Sequence, residues 1–161
     1  MRILSRVILF SAAVFFLVNT GTAQKTPNRK PGSTTQKFKP PKLYTYLGAV
    51  KDSVTIPVDV AENIIGLPLK IYDDKKTEYT VSSYQFLYKK RTVTEDEQTG
   101  KVSPATSMVS DRFTVTPLPP VWVTQIKEQV NKGEELYFFD VIAKDAQGRV
   151  MYAPNLKIIT Q

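Results

Sequence analysis

Apolar and polar positions alternate along most of this chain with the two-residue period of half-buried β-strands. Residues 43–50 read LYTYLGAV, with Tyr44 and Tyr46 on one face and Gly48 at a turn or close backbone approach. Residues 53–56 form a second extended piece that ends at Pro57. The period then lengthens. Val60 with Ile64, and Ala61 with Ile65, are four apart, the spacing of a buried helical stripe. Asp59 and Glu62 have the D-x-x-E spacing of a capping box, and Gly66 is placed to stop this helix in the left-handed conformation. Residues 67–72 return to a strand, and 73–76 make an exposed turn.

The longest strand pattern, 78–90, contains a phase change. Tyr79 and Val81 are odd; Tyr84, Phe86 and Tyr88 are even. Strand side chains alternate faces, so one strand cannot bury both sets unaided. Either an extra residue at Ser82 and Ser83 makes a β-bulge or bend, or two separate strands meet there. Residues 91–110 form a polar excursion with a solvated tip at Glu95, Asp96, Glu97, Thr99 and Gly100. Phe113 and Val115 resume a strand, which Pro117, Pro119 and Pro120 end. Trp122, Val123, Ile126 and Val130 then share a helical stripe opposite Lys127, Glu128 and Asn131. The valines and tryptophan of 121–124 leave an extended start open. Gly133 is the stop.

Residues 135–143 are apolar at both parities. Leu136, Phe138 and Ile142 point one way, and Tyr137, Phe139 and Val141 the other, as in a central strand covered on both sides. A turn at 144–149 uses Gly148 at positive φ, and strands at 150–152 and 156–160 close the sheet. The expected fold is mostly β (α+β): a compact antiparallel, sandwich-like domain over 43–161 with two short helices.

Composition changes this picture at the N-terminus. Arg2 and Arg6 precede an apolar run at 7–18, the length of a signal-peptide core and short of a membrane span. Small residues lead to an expected cleavage between Ala23 and Gln24; an uncleaved anchor is the alternative. The chain is therefore expected to be exported, to the periplasm or outer envelope or beyond. Residues 24–42 are rich in Lys, Pro and Thr and read as a disordered basic linker. That linker is either simply solvated or touches an anionic surface. The formal charge is +7, but eight of the 22 Lys and Arg precede Leu43, leaving 14 against 15 Asp and Glu. A nucleic-acid-binding domain would carry its basic charge on the folded face, so nucleic acid is not an expected partner.

The chain has no His and no Cys. This removes the commonest general base, the thiol nucleophile and every His- or Cys-based zinc site. A paired-carboxylate mechanism would need acids from scattered positions in a domain small for a sugar cleft. The adjacent acids at 95–97 lack the alternate spacing of a calcium loop. No catalytic residue, metal or cofactor is expected. Asp140 breaks an apolar strand: it is a perturbed acid, or a structural acceptor for turn backbone or a cation such as Arg149. Trp122 is either core or a partner anchor.

The segment YTVSSYQF at 79–86, a polar hairpin, Phe113, a helix stopped by Lys132 and Gly133, and FFDVIAKDAQGR at 138–149 together resemble the C-terminal domain of the GldM/PorM family. The matching positions are Ser83, Gly133, Asp140, Ala143, Gly148 and Arg149, and the likeness spans roughly residues 48–160. Those proteins belong to the gliding-motility and type IX secretion machinery of Bacteroidota. The resemblance implies a stand-alone exported form of the terminal module rather than the motor component itself. It implies an outer-membrane-associated ring component as partner. The expected function is a non-catalytic envelope protein–protein interaction module. A small secreted binder or inhibitor of a carbohydrate or protease is the alternative.

Overall fold

The computed structural model describes Phe38–Gln161. The expected signal sequence, the cleavage point at Ala23 and Gln24, and the basic segment up to Lys37 lie outside the described residues. Within them the order is β1 (Leu43–Leu47), β2 (Val50–Lys51), β3 (Ser53–Ile56), α1 (Val58–Ile64), β4 (Leu69–Asp73), β5 (Glu78–Glu95), β6 (Val102–Phe113), α2 (Pro120–Gln129), β7 (Glu135–Lys144), β8 (Val150–Tyr152) and β9 (Leu156–Thr160).

The strands form one strongly folded sheet in the order β2-β1-β4-β5-β7-β9-β3, with β6 also on β5 and β8 also on β7. It is the expected mostly β, sandwich-like domain with two short helices. The pairing is antiparallel except where β3 lies parallel to β9. β5 and β7 are the spine. Tyr84, Phe86 and Tyr88 from β5 and Leu136 and Phe138 from β7 are buried against Leu47 and Ile71 of β1 and β4, Leu156 and Ile158 of β9, and Ala61, Ile65 and Ile126 from the helical segments. Burying each side chain of this size contributes about 1.5–3 kcal/mol.

The phase change in β5 is a bulge within one strand. Val81 pairs with Ala143 and Ser83 with Ile142, so β5 advances two residues for one of β7 and Ser82 is extra. The next pair is Gln85 with Phe139, where β7 advances three for two. β7 therefore carries a compensating extra residue. It falls at Asp140, whose φ is 47°.

This second bulge corrects the reading of β7 as a strand covered on both faces. Leu136 and Phe138 point inward before Asp140, and Val141 and Ala143 point inward after it. Tyr137, Phe139 and Ile142 are only half-buried, on the other face. Asp140 is exposed rather than aligned with Phe138.

The helices depart from expectation at their ends. Pro57 caps α1 without a side-chain bond, and Asp59 sits inside the first turn, where a carboxylate favours the helix dipole. Ala61 and Ile65 are buried, while Val60 is exposed. Gly66 is absent from the left-handed positions. Its close approach is to α2 instead: a Cβ there would stand 3.3 Å from the Val123 side chain, tighter than ordinary contact. α2 begins after Pro119 and lays Trp122 edge-on against Phe86 and Phe113, with ring centroids 5.6 and 5.7 Å away.

Candidate partner-docking edge

β5 is flanked by β7 only as far as Lys89, which pairs with Glu135. Beyond that point residues 90–95 pair only with residues 102–107 of β6. The polar excursion expected at 91–110 is therefore a two-stranded arm, continuous with the spine of the sheet. Its side chains at 91–95 are all exposed. Asp96 shapes the tip: its Oδ1 accepts the N–H groups of Thr99 and Gln98 at 2.9 and 3.0 Å. The Thr99 and Gln98 bonds favour the ionised form and hold this carboxyl below its usual range. The three adjacent acids thus close β5, at Glu95, and begin the turn, at Asp96 and Glu97. Among the described residues no group of three His, Cys, Asp or Glu side chains is arranged to hold a metal.

The root of the arm is built around Glu134. Its carboxylate is buried and accepts the Tyr88 hydroxyl at 2.5 Å, the Asn131 N–H at 3.0 Å and the Arg91 N–H at 3.1 Å. Its own N–H donates to Thr160 Oγ1 at 3.0 Å. Its side chain thus ties β5 to the α2–β7 loop, and its backbone ties both to β9, where the arm leaves the body. Burial, and then the bond to Glu134, push the Tyr88 phenol well above its ordinary pKa. Gly133 completes the root. It has φ 82°, donates its N–H to Thr160 O at 2.7 Å, and a Cβ there would come within 2.6 Å of the Arg91 guanidinium. Lys90 Nζ donates to Gln129 Oε1 at 2.7 Å from the same region. Glu134 is the residue that sequence reading passed over. The signal was its position one residue after a left-handed Gly and before a buried strand, but its partners are far away in the chain.

On its other side β6 pairs with no described strand. Exposed apolar side chains gather along the hairpin: Val93 at 65%, Val102 at 57% and Met108 at 63%. Natural sheets guard free edges with charge, proline, bulges or brevity. β6 is 12 residues long, and between Ala105 and Ser110 it has neither charge nor proline. A partner strand laid on it would gain main-chain hydrogen bonds along its length.

The positions singled out in the sequence do not converge on one site. Ser83 is buried beside the β5 bulge, and Ala143 is buried opposite Val81. Gly133 lies at the arm root, whereas Gly148 and Arg149 occupy the β7–β8 turn at the other end of β7. Arg149 pairs with Asp145 at 2.6 Å and stacks over the Phe38 ring at 3.8 Å. It is not the partner of Asp140, whose Oδ2 accepts from Gln85 Nε2 at 2.6 Å. Trp122 is half-buried on the core, so the rings it touches already occupy much of its surface. Protein-family models give no match to this chain, and no curated protein matches it.

Proposed function

We propose that this chain is an exported, non-catalytic protein–protein interaction module of the cell envelope, periplasmic or associated with the outer membrane. In this reading it is kin to the terminal domain of GldM and PorM and accessory to gliding motility or type IX secretion. The observation that carries the docking role is the β5–β6 arm, with its long unguarded edge. Strand addition gives affinity through the backbone and specificity through every second side chain. The family link is supported by the residues at 79–86 and 138–149 and by the order of strand, polar hairpin, helix, strand and Gly–Arg turn. The expected stop at Gly133 does not add to it, because α2 ends at Gln129 with Val130 already extended.

The carbohydrate-binding alternative has less support. Tyr137 and Phe139 on the outer face are stacked at 5.1 Å and 10°, so each has already committed one ring face to the other. The test is capture of partners from envelope extract by the tagged, processed chain. A second bait has the arm shortened by joining Lys90 to Ser107 through Asn-Gly. Recovery of secretion or gliding components by the first bait and not the second is expected. Recovery of none of them, or equal recovery by both baits, overturns the reading.

A further inference from the structure

Phe38 is the only aromatic residue between Gln24 and Lys42, and it lies against the β7–β8 turn. In that turn Asp145 Oδ1 accepts the N–H groups of Gln147 and Arg149, both at 2.9 Å. Asp145 Oδ2 accepts Arg149 Nε at 2.6 Å, and a terminal guanidinium nitrogen of Arg149 donates to Gln147 Oε1 at 3.0 Å. The turn's own side chains thus hold the guanidinium in place. Its central carbon stands 3.8 Å from the centroid of the Phe38 ring. A guanidinium over an aromatic face is attracted by the ring quadrupole, and one already held by other bonds loses little freedom in making the contact.

Among the described residues no hydrogen bond joins Phe38–Pro41 to the body. Pro40 and Pro41 fix their own φ and keep this stretch extended. A cavity of about 490 Å³ lies between residues 39–42 and Asp73, Asp74 and Lys75. The stretch is therefore a strap fastened at its ends. Phe38 holds one end; Lys42, whose Nζ is 5.1 Å from the Tyr44 centroid, and the start of β1 hold the other. The Phe38 end is far from the arm. Thr80 of β5 pairs with Lys144 beside the β7–β8 turn, Lys89 pairs with Glu135 at the arm root, and β5 continues to Glu95. The path from Thr80 to Glu95 along this one strand is about 50 Å.

We propose that Phe38 and Arg149 form a clasp that fixes the entry of the preceding basic segment at the pole of the domain opposite the β5–β6 arm. The arm is thereby held away from whatever that segment touches. The clasp stands on its own contacts; the use made of the arm rests on the docking role proposed above. Phe38 is then a positioning residue, which sets the direction of the arm and takes no part in docking itself.

The chain has no cysteine, so Lys39→Cys and Gln98→Cys, both at exposed positions, place spin labels on the strap and the arm tip. Pulsed dipolar spectroscopy of the processed chain is expected to give one narrow distance distribution between about 30 and 50 Å. Phe38→Ala and Arg149→Ala should each broaden it about twofold, because the strap then behaves as a short linker. Phe38→Trp should keep it narrow, since tryptophan offers the best face to a cation. The Phe38 ring should also shift the Arg149 Nε proton upfield in the parent, and Phe38→Ala should abolish that shift. Phe38 is 44% exposed, so its replacement leaves the core intact, and a cooperative unfolding transition checks this.

A broad distribution in the parent, a narrow one unchanged by both alanine variants, or a separation below about 20 Å overturns the proposal. A parent without the clasp that still captures envelope components through its arm sinks the clasp and leaves the docking role standing. A clasped parent that captures nothing supports the fixed entry and sinks that role.

Discussion

Gln85 donates a 2.6 Å hydrogen bond to Asp140 across the two spine strands, beside a pair of bulges that reverse both strands together. One extra residue in β5 and one in β7 shift each side-chain pattern by a face. Since both shift at nearly the same place, inward residues still meet inward residues: Phe86 opposite Phe138 on one side of the kink, Val81 opposite Ala143 on the other. A bulge in β5 alone would have set its core residues against the solvent face of β7.

The left-handed backbone at Asp140 makes the identity of that residue testable. Asp tolerates φ 47°, glycine adopts it freely, and a β-branched residue does not. Asp140→Gly is expected to stay within about 0.5 kcal/mol of the parent, whereas Asp140→Val costs about 1–3 kcal/mol. Urea unfolding of the two variants checks the order.

Glu134 is expected to be the costliest single truncation at the arm root. Glu134→Ala leaves the Tyr88 hydroxyl and the Asn131 and Arg91 N–H groups without their acceptor. The loss should be about 3 kcal/mol or more, read from the denaturation midpoint. Tyr88→Phe removes only a donor and should cost about half as much. Equal losses from the two variants would show that Tyr88 is the only partner that matters.

Alkaline pH should weaken the domain, with a sign set by its buried phenols. Burial raises Tyr84 to about 12 and raises Tyr88 as well, Glu134 adding to the latter. The folded state thus holds these protons more tightly than the unfolded chain, whose phenols ionise near about 10. Their contribution is complete below about pH 10 and is lost as pH rises toward the folded values. Stability measured from pH 9 to 11.5 should fall, and Tyr84→Phe should flatten part of that fall.

Shortening the arm should separate function from stability. Residues 91–95 are exposed and touch the body only through the root. Joining Lys90 to Ser107 by a two-residue turn is expected to change unfolding free energy by less than about 1 kcal/mol. A large loss would show that the arm belongs to the folding unit.

Spacing between near neighbours was enough to read most of the strands, the two helices and the phase change at Ser82 and Ser83, but not the end of β5 or most of β6, which lay in the stretch expected to be a polar excursion. The sequence by itself also determined the chemistry that His and Cys cannot supply here. Only the tertiary structure decided the rest. The Asp140 bulge was hidden because β7 is apolar at both parities, so a shift of face leaves no trace in its pattern. Gly66 read as a helix stop because the chain around it does not reveal its close approach to Val123, which comes from a helix far along the chain. Glu134 read as one acid among many until β5, β9 and the α2–β7 loop enclosed it. The free edge of β6 is a property of strand order. Strand order is set by contacts between distant segments, so residue spacing along the chain does not record it.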